Sequence, residues 1–187
     1  MGEKVRHPRA VAIAVARELC GLLEPVTSEM KVAGSLRRMK RQVGDVEIIF
    51  IPRIETRPEG LFDTRTVDLA AEAIDKLLDR GVLAKREGES GHTGWGPKNK
   101  LAVHAASGIP VDLFTATEEN WWNYLVCRTG PKESNEAIAK AAKARGWQWN
   151  PYGPGFTALT GRETRAMGSE QEVFAFVGLP YNEPAWR

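Results

Sequence analysis

Two stretches of the sequence carry acidic side chains at positions suited to binding cations. In Gly44-Asp45-Val46-Glu47 the two acids are separated by one apolar residue. On a β-strand Asp45 and Glu47 therefore point to the same face. Asp112 interrupts the otherwise apolar run Ile109–Phe114, where an unpaired charge is costly. Adjacent carboxylates repel, and nearby cations keep them ionised. By itself, the first stretch is equally compatible with a half-exposed edge strand that happens to carry two acids. Asp112 taken alone is better explained as a hairpin residue that faces solvent.

A third stretch has the composition of a phosphate-binding turn. It reads Gly34-Ser35-Leu36-Arg37-Arg38 and follows a short predicted strand. Glycine lets the backbone approach a phosphate closely, and a hydroxyl with exposed N–H groups binds phosphate oxygens. Arg38 adds charge-assisted, bidentate hydrogen bonds to the same group. Alone, a Gly-Ser pair is more often an ordinary turn.

Together the three stretches predict metal-dependent nucleotidyl transfer. The oxygen ligands Asp45, Glu47 and Asp112 suit two Mg²⁺ or Mn²⁺ ions. Two such ions activate an attacking hydroxyl and neutralise departing pyrophosphate, and the Gly34–Arg38 turn would bind that pyrophosphate. The combination is much more specific than its parts.

Composition excludes several other classes of protein. The chain has 187 residues, with 42% hydrophobic and 27% charged residues and a net charge of +2, as is ordinary for a globular protein. Its two cysteines, Cys20 and Cys127, lack the spacing of a zinc site and predict a reducing compartment. The longest strictly apolar run, residues 10–16, is too short to span a membrane. We expect a cytoplasmic protein, or a viral one acting in the host cytoplasm or nucleus, without a membrane partner.

The periodicity of the first half predicts a mixed α+β sheet with helices on one face. Apolar residues recur at helical spacing from Pro8 to about Leu23 and from about Thr66 to Arg80. The segment Arg53–Asp63, with Pro58 and Gly60, predicts an exposed loop. Predicted strands are Met30–Gly34, Val43–Ile51, Leu83–Glu87, Leu101–Ala106 and Ile109–Phe114, the last two joined by Ser107-Gly108.

The second half differs from the first in its predicted elements, and we place a domain boundary near Ala116. Short helices are predicted at Glu118–Val126, Lys132–Arg145 and Ser169–Val177. Between the last two, Trp147–Leu159 contains two prolines and two glycines and predicts a small hairpin with an irregular tip.

The motifs resemble the signature of the family X DNA polymerases, the DNA polymerase beta group. The resemblance rests on Val32–Arg38, Gly44–Glu47 and Val111–Leu113, then on Thr129-Gly130 with Asn135 beyond. It extends to Gly178-Leu179-Pro180-Tyr181 and to Pro184–Arg187, and so covers nearly the whole chain.

The resemblance implies a palm nucleotidyltransferase domain at residues 1–115 and a thumb-like nucleotide-selection domain at residues 116–187. It also implies a minimal member without the family's lyase and helix-hairpin-helix elements, similar to the short viral polymerases of the group. The nucleotide-binding residues that it implies are Gly34, Ser35, Arg38, Gly44, Cys127, Arg128, Thr129, Gly130 and Asn135.

Three positions depart from the family's pattern. Glu47 stands where the polymerases usually have Asp. Cys127-Arg128 replace an aromatic pair that contacts sugar and base, and Ala139 replaces an Arg that reads the minor groove. We therefore expect conserved chemistry with altered substrate choice, including ribonucleotides accepted unusually well.

Several other residues could contact nucleic acid or serve only the fold. Trp121 and Trp122, and Trp147 with Trp149 on one side of a strand, could stack on bases, but we favour packing for all four. Lys98 and Lys100 could meet DNA phosphates, although a solvated face is as compatible. His92 lies in a glycine-rich loop for which we favour a flexible hairpin tip.

The leading functional hypothesis is a monomeric, template-directed DNA polymerase that fills short gaps during DNA repair. Its partners would be a nucleoside triphosphate and a primer-template or gapped DNA. A second hypothesis is a template-independent nucleotidyltransferase that acts on DNA, RNA or a small molecule. A third is a catalytically silent nucleic-acid-binding module, against which the complete carboxylate set argues.

Overall fold

The computed structural model describes residues 5–87 and 94–187. His92 lies outside these residues. In chain order the elements are β1 (His7–Pro8), α1 (Arg9–Leu23), β2 (Thr27–Val32), α2 (Gly34–Arg37), β3 (Gln42–Val43), β4 (Val46–Pro52), β5 (Ile54–Glu59), β6 (Asp63–Asp68), α3 (Leu69–Asp79), β7 (Leu83–Lys85), β8 (Asn99–His104), β9 (Pro110–Thr115), α4 (Trp121–Thr129), α5 (Lys132–Ala144), β10 (Trp147–Asn150), β11 (Gly155–Ala158), β12 (Thr164–Arg165) and α6 (Glu170–Phe176). In this part of the chain no helix combines the length and apolarity needed to cross a membrane.

The chain divides into two compact units. Unit 1 comprises Met1–Val32 and Gln42–Thr115, and unit 2 comprises Ala33–Arg41 and Ala116–Arg187. The Gly34–Arg38 turn thus clusters with the second half of the chain, whereas the sequence-based division assigned it to the first. The names palm and thumb for the two units stay a prediction.

Unit 1 is built on a five-stranded mixed sheet in the order β2-β4-β9-β8-β7. Strands β4 and β9 are parallel, and the other neighbours are antiparallel. The central strands are rich in β-branched and aromatic residues and bury Ile48, Ile49 and Leu113. Helices α1 and α3 both pack on β4, so the predicted mixed α+β fold is confirmed.

The predicted loop at Arg53–Asp63 is wrong. Strands β5 and β6 form a two-stranded antiparallel hairpin with Ile54 opposite Asp68 and Glu59 opposite Asp63. Proline and glycine favoured the loop, but a two-stranded ribbon tolerates Pro58 because one side of each strand is an edge. The cross-strand pair Thr56–Thr66 supports this pairing.

This hairpin also shortens the following helix. The sequence predicted a start at about Thr66, but α3 begins at Leu69 because residues 63–68 belong to β6. The Asp68 side chain accepts a hydrogen bond of 2.8 Å from the Ala71 N–H. This is the N-cap interaction that satisfies an unpaired donor at a helix start.

Unit 2 packs three helices against a small sheet in the order β10-β11-β12. Its core is formed by the buried residues Val126, Ile138, Ala142, Phe156, Val173, Phe174 and Val177. The hairpin predicted at Trp147–Leu159 is confirmed as β10 and β11. Trp121 is buried and Trp122 packs against this core, as the packing interpretation predicted.

Candidate active site

The sheet register of unit 1 brings two of the predicted carboxylates side by side. Glu47 on β4 is the register partner of Asp112 on the parallel strand β9. Their strand neighbours Val46, Ile48 and Val111 are buried, whereas Glu47 and Asp112 are only partly buried. Asp45 precedes Glu47 by two residues and is also partly buried. Because side chains alternate along a strand, Glu47 and Asp112 lie on the same face, which is the more open one at this end of the two strands; Asp45 precedes β4.

Arg86 pairs with one of these acids. It follows β7 and donates a hydrogen bond from Nη2 to Asp112 Oδ1, and the two side chains are 28% and 17% exposed. Its backbone N–H donates to the Leu101 carbonyl on the neighbouring strand at 3.0 Å. The sheet therefore holds a guanidinium next to the third carboxylate.

The carboxylates have the chemistry of a divalent-cation site. Within residues 5–87 and 94–187 no three His, Cys, Asp or Glu side chains are grouped so that they could hold a metal ion. Asp112 pairs with Arg86, and its register partner Glu47 lies on the neighbouring strand, which is about 4.8 Å away. The donor set fits Mg²⁺ or Mn²⁺.

In unit 2 the predicted phosphate-binding turn forms the short helix α2 and the residues after it. Gly34 has a φ of 60°, a conformation that glycine adopts without strain. The Ser35 hydroxyl is buried and has no hydrogen-bond partner among the described residues. A buried polar group without a partner is costly, so this hydroxyl is a candidate donor to a bound ligand.

Both arginines of the turn are held by Thr129, at the end of α4. Arg37 donates to the Thr129 hydroxyl at 2.6 Å, and Arg38 donates to the Thr129 carbonyl oxygen. Thr129 is fully buried. The turn and the Thr129-Gly130 segment, separated by about ninety residues in sequence, thus form one structure within unit 2.

A buried ion-pair network holds the turn in place through Arg37. Glu170 at the start of α6 accepts from Arg37 and, at 2.9 Å, from Arg187. The side chains of Glu170 and Arg187 are 6% and 2% exposed. Arg187 also lies over the rings of Phe174 and Tyr181, at 4.8 and 5.1 Å from their centroids.

A surface cavity of about 490 Å³ opens beside this structure. Four of its lining residues are predicted nucleotide-binding residues, namely Arg38, Cys127, Gly130 and Asn135. The others are Pro131, Lys132, Glu136, Ala139 and Trp149. A cavity with a guanidinium, an amide and an indole has the groups that a nucleotide requires.

Glycine at position 130 is required by the geometry of this cavity. Gly130 has a φ of +61°, and a Cβ atom there would lie 3.2 Å from Arg38 Nη1. Any side chain would therefore strain the backbone and press on the guanidinium. Asn135 fixes the same segment, because its Nδ2 donates to the Cys127 carbonyl oxygen at 2.8 Å.

The segment Cys127-Arg128 borders a cluster of tyrosines. Arg128, predicted to bind the nucleotide, lies over the rings of Tyr124 and Tyr152, 5.3 Å from each centroid, and is not among the residues that line the cavity. The Tyr152 hydroxyl is 3.6 Å from the Cys127 sulfur. Burial of the ring, with a smaller contribution from Cys127, raises the pKa of Tyr152 to about 12.

The remaining predicted contacts lie in several places. Gly44 is buried in unit 1 next to Asp45. Lys98 is exposed and stays a candidate for DNA binding. Lys100 is 7% exposed and donates to the Gly96 carbonyl oxygen at 3.2 Å, so it is not presented to a DNA phosphate as predicted. An inward-facing position of β8 accounts for this burial.

Sequence reasoning missed Arg86, Glu170 and Arg187 as supports of the site. Their partners are far away in sequence, up to 133 positions for Arg37 and Glu170, and no local pattern indicates such a pair. Trp149 was interpreted as a packing residue. It does pack on the core of unit 2, but it also lines the cavity.

The known proteins found to be similar to this chain include DNA polymerases. The family model of the DNA polymerase beta thumb matches residues 124–187. The DNA polymerase/3′-5′ exonuclease PolX of Bacillus subtilis (strain 168) is 31% identical over 188 residues, which cover 97% of this chain. The chain spans 28% of the length of that relative.

The fold is similar to that of polymerase beta from Leishmania infantum, solved as a ternary P/T complex. The TM-score is 0.73 with 19% sequence identity, and the match covers 97% of this chain and 76% of that one. The family resemblance found in the motifs is confirmed. In sequence and in fold, this chain is a family X DNA polymerase-like protein.

Proposed function

We propose that this chain transfers a nucleotidyl group from a nucleoside triphosphate to the 3′-hydroxyl of DNA, copying a template across short gaps. The observation that carries the proposal is the pairing of Glu47 with Asp112 on adjacent parallel strands, with Asp45 two residues away. Acids concentrated on one partly open face of a sheet repel each other, and bound cations would offset this repulsion.

In this proposal Asp45, Glu47 and Asp112 hold two divalent cations. Such ions, when bound, lower the pKa of the attacking hydroxyl and neutralise charge on the departing pyrophosphate. Arg86 neutralises Asp112 until a cation competes for that carboxylate. The longer side chain of Glu47 serves as a ligand where the family usually has Asp.

The nucleotide occupies the cavity of unit 2. Arg38 lines that cavity, and its guanidinium binds the triphosphate. Ser35 lies in the same turn as Arg38 but does not line the cavity, so its buried hydroxyl would reach a phosphate oxygen only if the turn moves on binding. Charge on the leaving pyrophosphate grows towards the transition state, so donors held in place there assist the reaction. Gly130 and Asn135 lie at the sugar and base.

DNA as the acceptor is supported by the relatives. One is named a DNA polymerase/3′-5′ exonuclease, and the other was solved as a ternary P/T complex. Exposed Lys98 supplies a contact to DNA phosphate in unit 1. We expect low processivity, because phosphate contacts dominate DNA affinity and the net charge is only +2.

Primer extension tests the proposal. Single-stranded, recessed and one-nucleotide-gapped DNA substrates are each given one nucleotide at a time, with Mg²⁺ or Mn²⁺. Incorporation that follows the template base supports the proposal. Untemplated addition would instead support a terminal nucleotidyltransferase, and DNA binding without incorporation would support a silent binding module.

A matched pair of variants separates chemistry from folding. Asp45→Ala removes a proposed metal ligand and should abolish incorporation, whereas Asp75→Ala changes an exposed acid on α3 and should leave it unchanged. Equal incorporation by both variants would remove Asp45 from the proposed site.

A further inference from the structure

A second surface cavity continues the nucleotide cavity along unit 2. It measures about 460 Å³ and is lined by Ala139, Lys143, Trp147, Gln148, Trp149 and Leu159. Ala139 and Trp149 also line the nucleotide cavity. The two cavities therefore share part of their lining, and we call the two together the groove.

One side of this groove is a stripe along helix α5. Lys132 and Glu136 line the first cavity, Ala139 lines both, and Lys143 lines the second. These residues are four, three and four positions apart, so they lie on one face of the helix. Ala139, which lines both cavities, has only a methyl side chain and so occupies little space there.

The opposite side is strand β10, which presents two indole rings. Trp147 and Trp149 are two residues apart and point to the same side of the strand, and both are partly exposed. Phe176 packs edge-on against Trp147 with centroids 5.0 Å apart, and Phe156 lies 6.4 Å from Trp149 at an interplanar angle of 26°. The Trp149 indole N–H also donates to Asn123 at 2.9 Å.

Rings held in this way are suited to stacking on a flat partner. Their orientation is already fixed by Phe176, Phe156 and Asn123, so little rotamer freedom is lost on binding. Aromatic side chains of this kind bind successive bases of single-stranded nucleic acid, because every base has a π-face.

The charges and aromatic side chains along the groove favour a ligand that carries both negative charge and planar aromatic rings. Lys143 is exposed at one end, beside the indoles, and Arg38 lies at the other. Between them Lys132 and Glu136 are 3.5 Å apart and largely neutralise each other. The lining thus carries two cations in excess, separated by aromatic surface, which matches a phosphate backbone bearing bases.

We propose that Trp147, Trp149 and Lys143 bind an unpaired nucleotide of the template strand, the one beyond the base that pairs with the incoming nucleotide. Trp147 stacks on the base, and Lys143 binds the adjoining phosphate. The assignment of this strand as the template rests on the function proposed above. The binding of an unpaired nucleotide by the groove rests only on the residues that line it.

Binding without turnover tests this proposal. The affinity of the full chain is measured by fluorescence anisotropy for primer–template duplexes that end flush or carry a 5′ template overhang of one to three thymidines. The first overhanging thymidine is the templating base, so the overhang gain is the affinity for two or three thymidines relative to one. One stacked base should make this gain about tenfold. An abasic second position keeps the phosphate and removes the base, and should lose most of that gain. Equal affinity for overhangs of one and two thymidines would overturn the proposal.

Variants assign the gain to the groove. Trp147→Leu keeps an apolar cover on Phe176 but removes the indole, and should reduce the overhang gain to about twofold or less without changing affinity for the flush duplex. Trp186→Leu is the matched control, since Trp186 is 83% exposed and does not line the groove. Equal overhang gains in these two variants would contradict the assignment.

A further variant covers the case in which Trp147→Leu does not fold. Lys143→Gln changes an exposed side chain and should weaken binding of the overhang selectively. If both Lys143→Gln and the abasic overhang left the gain intact, the groove assignment would be wrong. Overhang binding in a chain that incorporates no nucleotide would refute the proposed function and leave the groove standing. Incorporation without an overhang effect would support the proposed function and refute the groove assignment.

Discussion

Replacing Glu170 by glutamine removes the negative charge from a buried cluster of two arginines and one carboxylate in unit 2. The Glu170 carboxylate accepts from Arg37 through one oxygen and from Arg187 through the other. Glu170 and Arg187 are almost completely buried and Arg37 is 21% exposed, so water can replace only a small part of the lost charge. The variant therefore leaves two guanidiniums without their counter-ion.

The expected loss of stability follows from that burial. Removing one partner of a buried ion pair costs about 3–5 kcal/mol, and because Glu170 serves two cations we expect the upper half of that range. Arg187→Met should cost less, about 1–3 kcal/mol, because Glu170 keeps Arg37 and the methionine still covers Phe174. A loss of about 4 kcal/mol is a large fraction of the stability of a typical domain.

Urea unfolding followed by tryptophan fluorescence measures this loss of stability in unit 2. Five of the six tryptophans, all except Trp95, lie in unit 2. Glu133→Gln is the matched control on an exposed acid of α5 and should change the free energy of unfolding by less than about 0.5 kcal/mol. A Glu170→Gln variant within about 1 kcal/mol of the wild type would refute the network's role in stability.

Three further predictions concern the cavity and its surroundings. Gly130→Ala should weaken nucleotide binding by about tenfold or more in a calorimetric titration, because the new Cβ meets Arg38 at 3.2 Å in a backbone with a φ of +61°; unchanged affinity would remove Gly130 from the site. Tyr152 should keep its proton up to a pKa of about 12, whereas the unfolded chain loses it near 10.0. Its contribution to stability is therefore complete below pH 10 and is lost between these values, and Tyr152→Phe should remove that slope and one phenolate step near pH 12 in an absorbance titration. Cys127 lines the cavity with a small side chain, so the ratio of kcat/KM for dGTP over GTP should be about a hundredfold or less; a ratio in the thousands would refute this, and Cys127→Tyr should raise it.

Local patterns were sufficient for most of the fold. Alternation of acids with apolar residues predicted Asp45 and Glu47 on one strand face. In the structure β4 begins at Val46, so only Glu47 lies on the strand, and the register of β4 with β9 pairs it with Asp112. The short apolar strands and the amphipathic helices are readable because burial imposes a period of 2 or 3.6 on the residues involved. The longest missed pair of strands, β5 and β6, is exposed at most of its residues, so burial left no period to detect.

The supports of the site could not be predicted in the same way. Arg86 pairs with Asp112 and Arg37 with Glu170 because the sheet and the helix packing bring distant segments together. A single sequence records neither distance. Lys100 illustrates the converse, since its residue type suggested DNA contact while its position on an inward face of β8 buries it. Residue type indicates what a side chain can do, and only the fold determines what it can reach.

Single-nucleotide incorporation on one-nucleotide-gapped DNA with Mg²⁺ tests the central claim most directly, using Asp112→Asn beside Asp75→Asn. Asparagine keeps the shape of Asp112 but removes the charge that a divalent cation needs. The carboxylate assignment predicts a fall in kcat of more than about a hundredfold for Asp112→Asn and no change for Asp75→Asn, with both variants folded. Activity of Asp112→Asn within about threefold of the control would contradict the assignment of these carboxylates to catalysis.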